Sequence, residues 1–142
     1  AASGAAGVIL PDLPPEEAAT VRATAAELGL ATVFLIAPTT TPDRLRTVTA
    51  ACSGFVYCVS VTGVTGARSN VAADLPAMLR AAREVTDLPL AVGFGVSDGR
   101  TAAAVAEHAD GVIVGSAVIS RQAAGEDLSE FVTGLKHGCQ RG

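Results

Sequence analysis

The sequence predicts an α/β domain built on a parallel sheet, in which strands and helices alternate along the chain. Apolar runs start at residues 8, 32, 55, 90 and 111, and most lack the polar alternation of a half-exposed strand. Each run is followed by apolar residues at helical spacing, so the repeating unit is one strand and one crossover helix. A chain of 142 residues that is 49% hydrophobic can bury a sizeable core as one domain, residues 1–142.

The first strand–helix unit is predicted over residues 7–29. Its strand is a buried run that ends near Asp12, where prolines follow that cannot continue a ladder. Its helix carries Pro15 in the first turn and stops at Gly29. The apolar face of this helix consists of Ala18, Val21, Ala25 and Leu28.

The second unit is predicted over residues 32–52. Its strand, residues 32–37, is expected to be covered on both faces. Thr41 is the expected N-cap of the next helix, followed by a first-turn proline and an acidic residue that suits the helix dipole. Its buried face would consist of Leu45, Val48 and Cys52.

The third unit contains the longest connection between strands. Its strand is predicted at residues 55–60, a Gly/Thr-rich loop follows over residues 61–73, and a helix comes next. Because long insertions in compact α/β units are usually functional, we expect this loop to close over a ligand. The apolar face of the helix consists of Leu75, Met78, Leu79, Ala82 and Val85.

Two further strands are predicted at residues 90–94 and 111–114. The helix between them carries Ala102, Val105, Ala106 and Ala109. Gly115 and Ser116 open another helical stretch after the last strand. The final amphipathic helix carries Leu128, Phe131, Val132 and Leu135.

Composition excludes several functional classes. A formal net charge of −4 with scattered basic residues argues against nucleic-acid binding. No apolar run approaches the roughly 20 residues of a membrane span, which predicts a cytoplasmic protein. The three cysteines lack the spacing of a zinc site or a disulfide framework, so no metal is expected.

The carboxyl ends of the predicted strands are rich in glycine, which favours a phosphate site. Ligands of parallel α/β folds bind at these ends, and glycine lets backbone N–H groups approach an anion closely. Gly115 and Ser116 precede a helix whose N-terminus attracts anions, and Gly93 and Gly95 follow the neighbouring strand. The alternative is that these glycines only make tight turns.

Two other residues are candidates for a functional role. Asp12 is the one carboxylate at a strand's ligand end, so it could act as an acid or base, or it could simply cap the next helix. Tyr57 lies in the middle of a strand and could point into a ligand site or pack in the core.

Five collinear stretches resemble the tryptophan synthase alpha subunit family. They are GFVYCVSVTGVTGAR at residues 54–68, GVILPDLP from residue 7, FLIAPT from residue 34, VGFGVS from residue 92 and DGVIVGSA from residue 110. The resemblance implies a (β/α)8 TIM barrel, of which this chain would supply strands four to eight, a partial barrel of about five parallel strands with flanking helices. It also implies a lyase that cleaves indole-3-glycerol phosphate to indole and glyceraldehyde 3-phosphate.

The resemblance assigns roles to individual residues. Tyr57 would line the substrate pocket, Thr65 would position a catalytic aspartate, and Asp12 would lie near the contact with a partner subunit. The residues implied in phosphate binding are Gly66, Gly93, Phe94, Gly95, Gly115 and Ser116. The family needs no cofactor in this subunit, and pyridoxal phosphate belongs to the partner beta subunit of an alpha2beta2 assembly.

The same resemblance implies that the catalytic glutamate lies on strand two of the barrel and the catalytic aspartate just after it, both upstream of Ala1. The 142-residue chain alone is therefore expected to be inactive, and prone to aggregate or self-associate through its open sheet edges. Two alternatives stay open: another phosphate-binding barrel, such as an isomerase or epimerase, and a non-catalytic fragment that only binds a partner.

Overall fold

The computed structural model describes residues 3–60, 71–93 and 95–140, with the backbone alone for residues 71–74. Strands and helices alternate along this part of the chain. The strands are β1 (Gly7–Ile9), β2 (Ala31–Val33), β3 (Leu35–Ile36), β4 (Val56–Val59), β5 (Leu90–Gly93) and β6 (Gly111–Ile113). The helices are α1 (Ala19–Glu27), α2 (Pro42–Ala51), α3 (Val71–Arg83), α4 (Gly99–Ala106), α5 (Ser116–Ala123) and α6 (Leu128–Cys139).

Every strand pair in the described residues is parallel. β1 pairs with β2, and β3 to β6 form a four-stranded sheet in chain order. Helices connect successive strands, apart from the one-residue step between β2 and β3. The predicted parallel sheet with helical crossovers is confirmed.

The predicted strand over residues 32–37 is divided in two at Phe34. Its first part pairs with β1 and its second part pairs with β4. The backbone N–H of Phe34 donates to the Cys52 sulfur, 3.3 Å away, instead of to a ladder partner. This stagger, in which one run changes neighbours along its length, is what a tilted barrel sheet requires. The prediction of a single strand here is therefore wrong.

The first unit also departs from the prediction. β1 ends at Ile9, three residues before Asp12, and Ile9 is 49% exposed, so this strand is not buried. α1 begins at Ala19 because residues 14–18 form a turn in which the Pro14 carbonyl accepts from the Glu17 N–H at 3.0 Å. Two adjacent prolines disfavour the helical conformation at the first of them and supply no N–H.

The predicted face of α1 is only half buried. Ala18 and Ala25 are buried, but Val21 and Leu28 are 39% and 54% exposed. The helix therefore contacts the sheet through small residues. Gly29 ends it at φ +67, as predicted for a helix stop.

The sheet has one face covered by helices and one half-open face. On the covered face Ile36, Cys58 and Val92 lie in register and are at most 1% exposed. Because strand side chains alternate, their neighbours Tyr57 and Ala91 belong to the opposite face, where both are only partly buried.

The remaining helices follow the predicted faces closely. Thr41 caps α2 by accepting from the Arg44 N–H at 3.4 Å, and α3 begins at Val71, so the predicted loop over residues 61–73 is too long at its far end. The buried or partly buried residues of the predicted faces include Leu45, Val48, Cys52, Leu75, Met78, Leu79, Ala82, Val85, Ala102, Val105, Ala106, Ala109, Phe131 and Leu135. Val132 is the exception on α6, since it is 50% exposed.

Candidate phosphate-binding site

A cleft of ≈ 380 Å³ opens at the carboxyl ends of β4, β5 and β6. Its walls are Tyr57 of β4, the connection between β5 and α4, and the first turn of α5. The lining residues are Tyr57, Gly95, Val96, Ser97, Ile113, Gly115, Ser116, Ala117 and Ser120. In a parallel α/β fold, this end of the sheet is where ligands bind.

The N-terminus of α5 faces this cleft without a side-chain cap. Gly115 is its N-cap residue, no side-chain hydrogen bond caps the helix, and its first turn contains no acidic residue. The Val118 N–H donates to the Gly115 carbonyl at 2.9 Å, which leaves the Ser116 and Ala117 N–H groups as first-turn donors. The helix dipole adds a partial positive charge at the same point, so this end suits an anion.

Three other helices have side-chain caps at their N-termini. Thr41, Asp98 and Asp127 supply side-chain oxygens that cap α2, α4 and α6. α1 also lacks a side-chain cap, but none of its residues lines the cleft. Among the five helices whose N-caps lie in the described residues, α5 is the one that presents an uncapped N-terminus to the cleft.

The segment of residues 95–98, which we call the α4 loop, forms the opposite wall. Gly95 has φ +78, a left-handed conformation that favours glycine. The Ser97 N–H donates to the Thr101 hydroxyl at 3.1 Å, and the Thr101 N–H donates to the Asp98 carboxylate at 2.8 Å. This second hydrogen bond is the main cause that lowers the pKa of Asp98, so the cap carries a full charge at neutral pH.

Tyr57 crosses the sheet to lie against Gly93. A Cβ atom on Gly93 would overlap the Tyr57 hydroxyl and would sit 2.6 Å from the ring carbon Cζ. Glycine at this position therefore leaves room for the Tyr57 ring, which lines the cleft. Burial raises the pKa of Tyr57, so its hydroxyl stays protonated at neutral pH and acts as a hydrogen-bonding group.

Ser60 joins the ends of the two central strands. Its backbone N–H and its hydroxyl both donate to the Gly93 carbonyl, at 3.0 Å and 3.1 Å. Ser60 is 5% exposed. These two bonds fix the carboxyl end of β5 beside β4, directly below the cleft.

Sequence reasoning missed several of the polar residues that shape the cleft. The sequence indicates Ser60 only as the end of a strand, and it assigns no role to Ser97 or Ser120. Ser120 lies four residues after Ser116 on α5, and that helical spacing was a usable signal. The role of Ser60 depends on a contact 33 residues away and had no local signal.

The lining residues carry hydroxyls and backbone amides but no charged side chain. An anion bound here would be held by neutral donors and the helix dipole. The described lining residues also include no carboxylate or histidine that could act as a general acid or base. Within the described ranges, no group of three or more His, Cys, Asp or Glu side chains could hold a metal ion.

The structure brings four of the predicted residues together in this cleft: Tyr57, Gly95, Gly115 and Ser116. Gly93 lies beneath the Tyr57 ring and does not itself line the cleft. The predicted residues Thr65, Gly66 and Phe94 lie outside the described residues.

Asp12 lies in a different place. It lines a groove of ≈ 230 Å³ between the proline-rich segment after β1 and the helix α2, together with Phe34 and Arg44. Arg44 also forms an ion pair with Glu16. Asp12 therefore has no contact with the phosphate cleft and contributes no acid or base to it.

The fold and the cleft together define a parallel (β/α) barrel protein whose candidate ligand site lies at the carboxyl ends of its last strands. A family model for the tryptophan synthase alpha chain matches residues 1–140. The chain belongs to the tryptophan synthase alpha chain family. This assignment decides against the alternative of an isomerase or epimerase from another barrel family.

Curated relatives agree with the family model. The tryptophan synthase alpha chain of Deinococcus radiodurans is 52% identical over 140 residues, covering 98% of this chain and 52% of the relative. The tryptophan synthase alpha chain of Streptomyces coelicolor is 48% identical over 136 residues, covering 96% of this chain and 50% of the relative. The chain thus spans about half the length of the curated relatives it matches.

Solved structures show the same fold. Tryptophan synthase from M. tuberculosis, in an aminoacrylate- and BRD0059-bound form, superposes with a TM-score of 0.87 at 36% identity over 99% of this chain and 53% of that chain. The alpha subunit from Legionella pneumophila superposes with a TM-score of 0.78 at 34% identity, over 97% of this chain and 53% of that chain. The architecture is therefore that of a partial TIM barrel, as predicted. In the part of the chain that the structure describes, no helix combines the length and apolar character needed to cross a bilayer.

Proposed function

We propose that this chain contributes the phosphate site of a lyase that cleaves indole-3-glycerol phosphate to indole and glyceraldehyde 3-phosphate in tryptophan biosynthesis. The observation that carries the proposal is the cleft at the ends of β4 to β6, which α5 enters with an uncapped N-terminus. Membership of the tryptophan synthase alpha chain family supports the choice of substrate.

In this proposal the substrate phosphate lies against the Ser116 and Ala117 N–H groups and the Ser116 hydroxyl. Tyr57 lies deeper, over Gly93, where the indolyl-glycerol part would extend. By resemblance to the family, Gly66 and Phe94 add to the phosphate contacts and Thr65 orients a catalytic aspartate. Binding energy from the non-reacting phosphate would position the bond that breaks.

The reaction is a retro-aldol cleavage. The side-chain hydroxyl next to the ring loses a proton as its carbon becomes an aldehyde, the carbon–carbon bond to the ring breaks, and the ring carbon gains a proton. These proton transfers need a general acid and base, which by resemblance are a glutamate on strand two of the barrel and an aspartate just after it. The cleft of this chain would bind the substrate, and those two carboxylates would act on it.

The test is indole release from indole-3-glycerol phosphate. We expect none from the 142-residue chain alone. We expect release after the chain is joined to the amino-terminal half of the Deinococcus radiodurans relative, and loss of release when that half lacks its strand-two glutamate. Indole formation by the chain alone would overturn this division of roles, and an inactive but folded chimera that does not bind phosphate would overturn the proposed function.

The exposed groove that contains Asp12 favours a second role, the contact with a tryptophan synthase beta subunit in an alpha2beta2 assembly. Its apolar rim of Leu10, Leu13 and Pro14 surrounds one acidic side chain, and by resemblance to the family Asp12 lies near the contact with the beta subunit. In the chimera, Asp12→Ala should weaken binding to the beta subunit while phosphate affinity stays unchanged. Equal affinity of parent and variant for the beta subunit would contradict this role.

The same proposal assigns the pyridoxal phosphate to the beta subunit and none to this chain. It also assigns the protein to the cytoplasm, which the three free cysteines support, since reducing compartments keep thiols unpaired.

A further inference from the structure

We propose that α6 is the element that positions both walls of the phosphate cleft, through its backbone contact with the first turn of α4 and its ring contact with α5. The inference rests on the proposed function, because it concerns the same cleft. It assigns a positioning role to Gly138 and Leu135, which do not line the cleft.

The contact between α6 and α4 is made backbone to backbone. A Cβ atom on Gly138 would overlap the Gly99 carbonyl oxygen and would lie 2.9 Å from its carbon. A Cβ atom on Gly99 would lie 2.8 Å from the Gly134 oxygen. Neither site accepts a methyl group at this separation, so glycine sets how closely the two helices approach.

Gly99 is the first residue of α4 and directly follows the α4 loop. That loop is tied to the helix by the Asp98–Thr101 capping box, and the Thr101 hydroxyl also accepts from the Ser97 N–H. A displacement of the first turn would therefore be carried into the loop and into the wall of the cleft.

The α4 loop has a second support on α6. Val96, which lines the cleft, is 7% exposed and packs in one cluster with Ala102 and with Leu135, which is 9% exposed. Leu135 lies between the two glycines of α6 in sequence. The same helical segment thus supports the loop both through its backbone and through a buried side chain.

α6 also contacts the opposite wall. The Arg121 guanidinium of α5 lies 4.2 Å from the centre of the Phe131 ring of α6, and its partner Glu126 holds it there at 2.6 Å. One helix therefore touches both elements between which a phosphate would bind, and its position sets the width of the cleft.

The chain offers a matched pair of variants to test this. Gly138→Ala places a methyl group against Gly99, whereas the same change at Gly134, one turn earlier, meets nothing within 4 Å. Both changes raise helix propensity equally. The readout is the emission of Tyr57 during titration with inorganic phosphate, because the chain has one tyrosine and no tryptophan.

We expect Gly138→Ala to raise the Kd for phosphate by roughly tenfold, since small displacements of positioning groups cost that much or more. Gly134→Ala should leave the Kd unchanged. In the active chimera, Gly138→Ala should raise KM while kcat changes less than twofold, a division that a general loss of structure would not produce. If Gly138→Ala does not fold, Leu135→Val, which removes one methylene from the cluster that contains Val96, should raise the Kd while the far-ultraviolet circular dichroism spectrum stays that of the parent.

The outcomes separate this inference from the proposed function. If the parent binds phosphate and Gly138→Ala binds it with the same Kd, the positioning role is wrong and the proposed function stands. Where Gly138→Ala does not fold, a Kd of Leu135→Val equal to that of the parent has the same meaning. A folded parent that does not bind phosphate overturns both.

Discussion

At the scale of single residues, Gly93 and Tyr57 form the closest-fitted pair of the candidate site. The Tyr57 ring occupies the space that any larger residue at position 93 would need. The sequence indicated each residue separately, one as a glycine at a strand end and one as a mid-strand aromatic residue. Their contact could not be predicted, because it depends on the register of β4 against β5.

This contact predicts a compensating pair of substitutions. Gly93→Ala should lower the free energy of unfolding by about 1–3 kcal/mol, as overpacking does, because the new methyl group meets the Tyr57 ring. Tyr57→Val in the same chain should recover part of that loss. Thermal unfolding followed by far-ultraviolet circular dichroism measures both changes. Gly134→Ala is the control, because its new methyl group meets nothing within 4 Å. Additive effects of the two substitutions would show that the ring is not the obstacle.

The buried thiol of Cys58 leads us to expect that the protein loses stability at alkaline pH. Burial, the largest cause, raises its pKa from 9.0 to about 12, and the side chain is 0% exposed. The unfolded chain therefore releases this proton first as pH rises, so the contribution of the neutral thiol is complete below pH 9 and is lost between 9 and 12. The free energy of unfolding should fall by about 1.4 kcal/mol per pH unit in that window.

The control for this prediction is Cys58→Ala, which should be less stable at neutral pH but should show a shallower decline above pH 9. Urea unfolding at a series of pH values measures both slopes. Identical slopes for parent and variant would mean that Cys58 does not account for the alkaline loss.

At the scale of elements, the sequence predicted the starts of α2 and α5 correctly and the start of α1 wrongly. Thr41 marked the start of α2, and Gly115 and Ser116 marked that of α5, whereas Pro15 suggested a start for α1 that the structure places four residues later, at Ala19. A proline signals a first turn only when the residues before it can also adopt the required conformation, and a neighbouring proline restricts them. The division of the second strand at Phe34 had no local signal, because its cause is a change of pairing partner.

The capping box of α4 predicts a response to acid. The pKa of Asp98 is lowered, chiefly by the hydrogen bond from the Thr101 N–H, so its contribution to stability is present above its ordinary pKa of 3.8 and is lost as pH falls below that value. Asp98→Asn keeps a good N-cap without the titrating charge. We expect the variant to melt near the parent temperature at pH 7 and to lose less stability between pH 5 and pH 2. If the variant loses as much stability as the parent between pH 5 and pH 2, other carboxylates cause the acid response.

At the scale of the whole molecule, one face of the sheet stays half open. The accessible surface is 8745 Å² for a mass of 14.1 kDa, whereas a folded monomer of that mass averages roughly 6,700 Å². In the described residues, the outer edges of β1 and β6 have no strand partner. The sequence predicted this surface through the resemblance to a barrel family, since strand periodicity alone does not reveal how many strands close a sheet.

We therefore expect the 142-residue chain to self-associate or aggregate at micromolar concentration and to bind a dye that reports exposed apolar surface. Light scattering and dye emission measure this, and both should fall in the chimera with the relative's amino-terminal half. A monomer with a sharp cooperative melt and no dye binding would contradict the expectation.

The central claim is that the cleft beside the N-terminus of α5 binds phosphate. The direct measurement is the Kd for a phosphate monoester, followed through Tyr57 emission of the 142-residue chain, for the parent, Ser116→Asp and Ser116→Asn. An aspartate at the first position of α5 suits the helix dipole, so this variant should be at least as stable as the parent and yet bind about tenfold more weakly or worse. The neutral Ser116→Asn variant should bind much closer to the parent. Equal affinity of the Ser116→Asp variant and the parent would place the phosphate elsewhere and contradict the account.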